Sequence, residues 1–260
     1  NCFGYEYPFT MKYLSRIIVP ILVILMVGCT EIEVEENPLL FFWEEMDKKY
    51  VFFEEKHIDW DSIRNVISQY NPGNEEEVWK GFEAMIYPLK DRHVVVFSDE
   101  MTVSLSFPYF NWIPIDLTKY GVNKTVETDW YTMAQLDNNI VYLEIKTFIS
   151  FIPDFYKTIS DFRYEKGIII DIRNNKGGLT NATLDFASNF IEGKQTVLYQ
   201  RFKNGTRHND FTDYRPVLLD GTNFFPDTKI ILLTDNHTYS AANMFVSIMK
   251  NRTNAILVGN

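Results

Sequence analysis

The residue of this chain best suited to nucleophilic chemistry is a serine at the start of an amphipathic helix. The β-prone apolar segment 229–233 precedes Ser240, and apolar residues recur at helical spacing after it. An oxyanion formed at Ser240 would meet the unpartnered backbone N–H groups of the first helical turn. The alternative is an ordinary N-cap, because serine is a preferred capping residue. Taken alone, the feature favours the cap.

A second junction of strand and helix carries paired glycines. The apolar strand that begins at Gly167 runs into Gly177 and Gly178, and a helix with one apolar face is predicted directly after them. Glycines permit positive φ and a close approach of backbone to a ligand, which suits an oxyanion hole. A phosphate cradle is the alternative, but the segment has neither a Walker pattern nor GxGxxG.

Together these two segments resemble the S41 peptidases, the family of carboxyl-terminal processing proteases and the tricorn core protease. Residues 171–178 match the family's D-[LI]-R-x-N-x-G-G motif, and residues 238–241 match its nucleophile motif. The resemblance implies that Ser240 attacks a peptide carbonyl. It also implies that backbone N–H groups at Gly177 or Gly178 and at Ala241 hold the oxyanion, with Asp171 and Arg173 as supporting residues.

A histidine far upstream resembles the base of the tricorn-like branch of the family. The segment 85–96 is similar to that branch's L-x-D-x-H segment, and His93 leads into a β-branched strand. A neutral imidazole can take the serine proton and return it to the leaving amine. The resemblance therefore implies that His93 is the general base, although a lone histidine beside a strand is more often structural. Asp91 is a secondary candidate that could orient His93 or bind its own loop.

The other histidines are weaker candidates for the base. His237 lies three positions before Ser240 on the same tight turn, where it is poorly placed to accept the serine proton, so we interpret it as a loop or substrate-rim residue. His57 and His208 belong to no visible constellation.

The sequence departs from the family pattern in two places. Asn243 stands where many members carry a glutamate three residues after the serine. Residues 255–260 resemble the start of the family's next strand, so the acidic orienting residue of the tricorn-like branch, or the lysine of the other branch, is expected beyond Asn260.

The amino-terminal region has the pattern of a lipoprotein signal. Met11 and the positive charges of Lys12 and Arg16 precede the apolar run 17–27, which is too short to span a bilayer as a helix. The following Gly-Cys pair resembles a bacterial lipobox, so Cys29 is predicted to be lipidated and the protein to be anchored in the cell envelope. The acidic residues after the cysteine are similar to export signals of Bacteroidetes surface lipoproteins.

Composition excludes several other functions. With 46% hydrophobic and 16% aromatic residues the chain can bury a large core, and a formal net charge of -10 disfavours nucleic acid as a partner. The 2 cysteines predict no disulfide, because one precedes the expected start and the other is the lipid site. HExxH is absent and the histidines are scattered, so we expect neither a metal nor another cofactor. The oligomeric state is not indicated.

Alternating strands and helices in the second half predict an α/β fold. The resemblance implies a ClpP/crotonase-like β-β-α spiral, incomplete at its carboxyl end, after a small helical domain. The interval 100–139 is too short for a complete PDZ module. The predicted segments are upstream residues 1–10, a signal peptide at 11–28, an acidic linker at 29–37, a helical domain at 38–92 and a catalytic domain at 93–260.

Two functions follow from these expectations. The first is a membrane-anchored serine endopeptidase that hydrolyses unfolded or carboxyl-terminal segments of a peptide or protein substrate. The second is a catalytically inactive lipoprotein that keeps the peptidase fold and binds peptides or acts as a scaffold. Fold alone does not separate them.

Overall fold

The structure of the chain is a computed structural model. It describes residues 37–106, 112–150, 155–251 and 255–259, so the predicted signal peptide and Cys29 lie outside the described residues. The described residues divide into two compact units: 37–106 with 201–213, and 112–200 with 214–259. The predicted domains, divided at residue 93, are a different partition and stay a prediction, as does the lack of a PDZ module.

The first unit, which we call the helical unit, contains three helices whose starts are capped by their own sequence. The side chains of Asn37, Asp59 and Asn74 accept hydrogen bonds from N–H groups of the first helical turns. A turn that includes Pro72 and Gly73 separates the second helix from the third. The elements are α1 (Pro38–Lys49), α2 (Trp60–Ile67), α3 (Glu75–Ile86), a 3-10 turn (Tyr87–Leu89), and the antiparallel strands β1 (Val95–Phe97) and β2 (Thr102–Ser104).

An aromatic core holds this unit together. Trp43 and Trp60 stack with ring centroids 6.3 Å apart, and each indole N–H donates to the backbone oxygen of the other residue. The segment 201–213 packs here as well, because the His208 ring stacks on Phe53 at 4.6 Å. The His208 Nδ1 also lies 2.9 Å from a carboxylate oxygen of Asp47.

The second unit, which we call the sheet unit, is built on a six-stranded mixed sheet. Its strand order is β10-β9-β6-β5-β4-β3, with β3, β4 and β5 antiparallel and β5, β6, β9 and β10 parallel. The α/β class predicted from sequence is therefore confirmed. The elements are β3 (Lys124–Glu127), β4 (Tyr131–Leu136), β5 (Ile140–Ile145), α4 (Phe155–Ile159), β6 (Gly167–Asp171), α5 (Thr180–Ser188), the ribbon of β7 (Glu192–Gln200) and β8 (Arg215–Thr222), β9 (Ile230–Thr234), α6 (Ala241–Lys250) and β10 (Ala255–Gly259).

Buried side chains on one face of this sheet pack in one cluster with those of α5 and α6. Ile168 and Ile170 of β6 belong to this cluster, as does Phe245 of α6. Phe186 of α5 lies 5.3 Å from the Phe245 ring, which ties the two helices together. This packing fixes α5 and α6 after the carboxyl ends of the parallel strands β6 and β9, where ligand sites of α/β sheets usually lie.

The longest helices in the described ranges, α1 and α3, have 12 residues each. No helix in those ranges is both long enough and apolar enough to cross a bilayer.

Candidate active site

Ser240 lies at the sharp turn between β9 and α6, in a conformation that L-residues seldom adopt. Its backbone has φ 53° and ψ -125°, and the residue is half-buried. Its hydroxyl makes no capping hydrogen bond to the first turn of α6. The ordinary N-cap interpretation of this serine is therefore wrong, and the strained backbone is what a strand-to-helix nucleophile turn requires.

A buried aspartate shapes the loop before the serine. The Asp235 carboxylate accepts hydrogen bonds from the backbone N–H groups of His237 at 2.9 Å and Thr238 at 3.0 Å. It also accepts one from the N–H of Asn174, at 3.0 Å. The Thr238 hydroxyl donates to the backbone oxygen of Ile172 at 3.0 Å. These bonds join the nucleophile loop to the loop after β6. Sequence reasoning missed Asp235, although an aspartate three residues before a threonine is a usual spacing for such a turn.

The paired glycines lie directly against the nucleophile turn. A Cβ added at Gly177 would stand 2.7 Å from the backbone nitrogen of Ala241 and 2.8 Å from the Cβ of Ser240. Gly177 also has φ 96°, where side chains are strained. Gly178, with φ 147°, forms an isolated parallel bridge with Phe148. Glycine at these positions lets the turn lie against the nucleophile turn and Phe148, whereas the sequence predicted a close approach of backbone to a ligand.

Asn175 is fully buried and connects the glycine turn to two other segments. Its Oδ1 accepts from the N–H of Gly177 at 2.8 Å, and its Nδ2 donates to the backbone oxygen of Ile145 at 2.9 Å. Its backbone oxygen accepts from the N–H of Tyr239 at 3.0 Å. The sequence placed Asn175 in a motif but gave its side chain no role.

These contacts distinguish the three predicted oxyanion donors from one another. The N–H of Gly177 is donated to Asn175. No hydrogen bond among the described residues uses the N–H of Gly178 or Ala241. Backbone donors beside the nucleophile are thus available at Gly178 and Ala241.

The predicted base belongs to the helical unit, where Asp91 holds it. Asp91 Oδ1 lies 3.0 Å from His93 Nδ1 and accepts the backbone N–H of His93, also at 3.0 Å. A carboxylate can only accept, so the proton of the neutral imidazole is on Nδ1 and Nε2 carries the lone pair. The two residues precede β1 and lie at a turn, where side chains two positions apart can meet. The sequence did not decide whether Asp91 contacts His93, because a strand was expected to begin at His93.

Asp91 is itself a buried carboxylate, 3% exposed. Its Oδ2 accepts from the Tyr50 hydroxyl at 2.7 Å and from Lys56 Nζ at 3.1 Å. Burial acts to raise the pKa of Asp91, but the hydrogen bonds from His93 and Tyr50 and the charge of Lys56 outweigh it and hold the pKa well below its usual range. Asp91 is therefore a fixed anion next to His93.

Asp171 and Arg173 form a separate, structural pair in the sheet unit. Arg173 Nε and a terminal nitrogen donate to the Asp171 carboxylate at 2.9 and 2.7 Å, and the Tyr142 hydroxyl donates at 2.7 Å. Burial, followed by the charge of Asp171, raises the pKa of Tyr142 far above its usual range. The hydrogen bond to Asp171 likewise raises the pKa of Arg173. Together with the backbone N–H of Arg173, which donates at 3.0 Å, these donors hold the carboxylate and fix the start of the glycine loop.

The remaining residues singled out from the sequence lie around this framework. His237 is in the loop as predicted, but the residue is buried. Its backbone N–H donates to Asp235. Asn243 is exposed on α6 and lines a cavity of about 280 Å³ with Thr234 and Leu257. Within the described ranges, no group of three His, Cys, Asp or Glu side chains is placed to hold a metal ion.

Known proteins resemble this chain in sequence and in structure. A "probable CtpA-like serine protease" of Staphylococcus haemolyticus is 30% identical over 94 residues, covering 36% of this chain and 18% of that protein. The chloroplastic "carboxyl-terminal-processing peptidase 1" of Arabidopsis thaliana is 24% identical over 136 residues, covering 50% of this chain and 26% of that protein. The chain thus spans about a quarter or less of these curated relatives.

A solved structure and the model of a protein family also match this chain. A crystal structure of a candidate peptidase from Parabacteroides merdae superposes with a TM-score of 0.72 at 25% identity, covering 85% of this chain and 73% of that one. The sequence model of peptidase family S41 matches residues 139–260, which include the glycine turn and Ser240. The resemblance inferred from the two motifs is confirmed, because the model of peptidase family S41 matches the part of the chain that carries both of them.

Proposed function

We propose that the protein is a serine endopeptidase in which Ser240 is the nucleophile. The observation that carries the proposal is the strained turn at Ser240, which lies against the glycine turn with the N–H groups of Gly178 and Ala241 available beside it. Preorganised backbone donors next to a nucleophile stabilise the charge of a tetrahedral intermediate. The match of this segment to peptidase family S41 supports the same reaction.

In the proposed reaction, Ser240 Oγ bonds to the peptide carbonyl carbon while His93 Nε2 takes the hydroxyl proton. The carbonyl oxygen becomes an oxyanion and accepts from the N–H groups of Gly178 and Ala241. The C–N bond then breaks as His93 returns the proton to the leaving amine. Water attacks the acyl-enzyme by the same route, with His93 again as base, and releases the acid and Ser240.

Asp91 completes this proposal as the residue that orients the base. Its carboxylate lies 3.0 Å from His93 Nδ1, so it favours the tautomer with Nε2 unprotonated and stabilises the imidazolium that forms. The orienting residue that the family resemblance expects beyond Asn260 is not needed for this role.

The proposed substrates are unfolded or carboxyl-terminal segments of proteins. This part of the proposal rests on the names of the curated relatives, two of which are carboxyl-terminal-processing peptidases. The substrate segment must be exposed and extended, because a serine at a tight turn reaches a peptide bond only in such a segment.

Labelling with a fluorophosphonate probe tests the nucleophile and the base. The wild type should be labelled, Ser240→Ala should not be, and His93→Ala should be labelled at least roughly 100-fold more slowly. Ser247→Ala on the same helix and His57→Asn, which keeps a residue tolerant of its φ of 55°, are the matched controls and should label normally. An unlabelled wild type that binds peptides would instead support the inactive peptide-binding lipoprotein.

We also propose that the mature protein is anchored to a bacterial membrane through lipid on Cys29, in the cell envelope. The proposal rests on the charged, apolar and Gly-Cys pattern of residues 11–29. Metabolic labelling with an alkyne fatty acid should mark the wild-type protein. Cys29→Ser should lose the label and leave the membrane fraction, and a variant that stays labelled would contradict the anchor site.

A further inference from the structure

We infer that Asn175 is a positioning residue that aligns the oxyanion donors of the proposed active site. This inference rests on the proposed function and concerns the same site. Asn175 is 0% exposed and touches no solvent, so its polar side chain is retained in the interior for its hydrogen bonds.

The side chain of Asn175 determines which way the amide of Gly177 points. Its Oδ1 accepts from the Gly177 N–H at 2.8 Å. A peptide N–H that is turned inward to a buried acceptor cannot also donate to a substrate oxygen. The next amide, that of Gly178, has no such partner among the described residues. Asn175 therefore assigns the oxyanion role to Gly178 and withdraws Gly177 from it.

The rest of the asparagine fixes this turn in space. Its Nδ2 donates to the backbone oxygen of Ile145, the last residue of β5, so the turn is held against the sheet. Its backbone oxygen accepts from the N–H of Tyr239, the residue before the nucleophile. One residue thus connects the sheet, the glycine turn and the nucleophile turn.

The remaining contacts of the glycine turn restrict it to one register. The backbone oxygen of Gly177 accepts from the N–H of Phe148 at 2.9 Å, and the N–H of Leu179 donates to the oxygen of Phe148 at 2.7 Å. The bond from Phe148 to the Gly177 oxygen holds the peptide plane that also carries the Gly178 N–H; the Asn175 side chain sets the preceding peptide plane, which carries the Gly177 N–H. Its loss frees that plane to rotate without unfolding the sheet.

Kinetics of two variants test the role. Asn175→Ala should lower kcat by roughly 100-fold with little change in KM, because the oxyanion donor acts in the transition state. Asn175→Asp keeps the acceptor for Gly177 and should retain more activity than the alanine variant. Its residual activity should rise, relative to wild type, as the pH is lowered, since a protonated carboxyl can donate to Ile145 as the amide does.

A matched control separates positioning from general stability. Asn189 is another buried asparagine of the sheet unit, and its Nδ2 donates to the backbone oxygen of Phe186 at 2.8 Å at the end of α5. Asn189→Ala should lower the urea midpoint in the same way as Asn175→Ala while leaving kcat unchanged. Equal kcat values for the two alanine variants would overturn the inference.

Amide exchange tests the same inference without any need for turnover. In the glycine-labelled protein, the Gly177 amide should exchange slowly in the wild type and at least about tenfold faster in Asn175→Ala. On fluorophosphonate labelling, the Gly178 resonance should move downfield and that of Gly177 should not. A shifted Gly177 amide would contradict our assignment even if the enzyme is active. A wild type that is not labelled but keeps the slow Gly177 amide would refute only the proposed function.

Discussion

Asp91 and His93 show how a buried anion can set the tautomer of the imidazole that we propose as the base. Asp91 Oδ2 accepts from Tyr50 and Lys56, which help to hold the carboxylate ionised, and Oδ1 fixes the Nδ1 proton of His93. In the proposed mechanism this leaves Nε2 basic. The sequence motif named both residues, but their contact depends on a turn geometry that a spacing of two positions does not specify.

The first prediction concerns the charge of Asp91. Asp91→Asn should reduce kcat by roughly 100- to 10,000-fold, because an amide can donate to Nδ1 and so favour the wrong tautomer. Kinetics on a labelled peptide measure the change. The control is Asp59→Asn, where the side chain only caps α2 and asparagine caps equally well. A loss of less than about threefold in Asp91→Asn would remove Asp91 from the mechanism.

The second prediction is the effect of pH on the stability of the helical unit. The folded pKa of Asp91 is depressed, so its stabilising contribution is complete above the unfolded value of about 3.9 and is lost as the pH falls below it. Wild type should lose more of its free energy of unfolding between pH 7 and pH 3 than Asp91→Asn does. Urea titrations at the two pH values measure this. Parallel losses would show that Asp91 is not ionised by its neighbours.

At the scale of elements, the parts of the site that local pattern predicts are those with a clear hydrophobic period. Strands β6 and β9 and helices α5 and α6 were predicted from apolar runs and helical spacing, and all four are present. The β7 and β8 ribbon was not predicted, because the first five residues of β7 are exposed and have no apolar alternation. Its pairing depends on residues distant in the chain.

The contacts within the site were harder to predict than its elements. The motifs identified Ser240 and the paired glycines because each needs a special residue type at a fixed place in the chain. The Asn175 bond to Ile145 joins residues 30 positions apart, so only the paired strands bring them together. For the same reason the sequence left the choice between Gly177 and Gly178 open.

The third prediction concerns a charge within the sheet. Glu144 of β5 is half-buried and lies in register with Asp171; burial chiefly raises its pKa, and the Asp171 charge adds to this effect. Because the pKa of Glu144 is higher in the folded than in the unfolded chain, the protonated side chain stabilises the fold. This stabilisation is complete below the unfolded pKa of about 4.3 and is lost as the pH rises through the folded pKa. The ionised Glu144 therefore destabilises the sheet unit at neutral pH.

Glu144→Gln should raise the free energy of unfolding at pH 7 by roughly 0.5–1 kcal/mol and have a smaller effect at pH 4. Urea titrations at both values measure the difference. Glu127→Gln on β3 is the control of opposite sign, because the hydrogen bond from Lys146 lowers the pKa of Glu127. A gain of the same size at both pH values would show that the effect is not electrostatic.

At the scale of the whole molecule, the helical unit is assembled from segments far apart in the chain. His208 lies 161 residues after Asp47, yet its Nδ1 contacts the Asp47 carboxylate and its ring covers Phe53. Strands β7 and β8 belong to the sheet unit, but the residues 201–213 that connect them belong to the helical unit. No local pattern in the sequence signals this excursion.

The fourth prediction measures what this distant segment contributes. His208→Ala should lower the free energy of unfolding by roughly 1–2 kcal/mol, since it removes a ring stack on a buried phenylalanine and a half-exposed hydrogen-bond contact with Asp47. Urea unfolding followed by tryptophan fluorescence checks it. His57→Asn, at an exposed turn, should change stability by less than about 0.5 kcal/mol. Equal effects would mean that the segment adds nothing to the unit.

The backbone strain at Ser240 implies that reactivity and folding favour different residues at this position. Glycine adopts φ 53° and ψ -125° without the steric cost that a side chain brings there, about 1–3 kcal/mol. Ser240→Gly should therefore be more stable than both Ser240→Ala and the wild type, and inactive; equal urea midpoints for the two variants would show an unstrained turn. A sequence designed for stability alone would put glycine here, so a serine is expected only where its hydroxyl is used, as the proposed function requires.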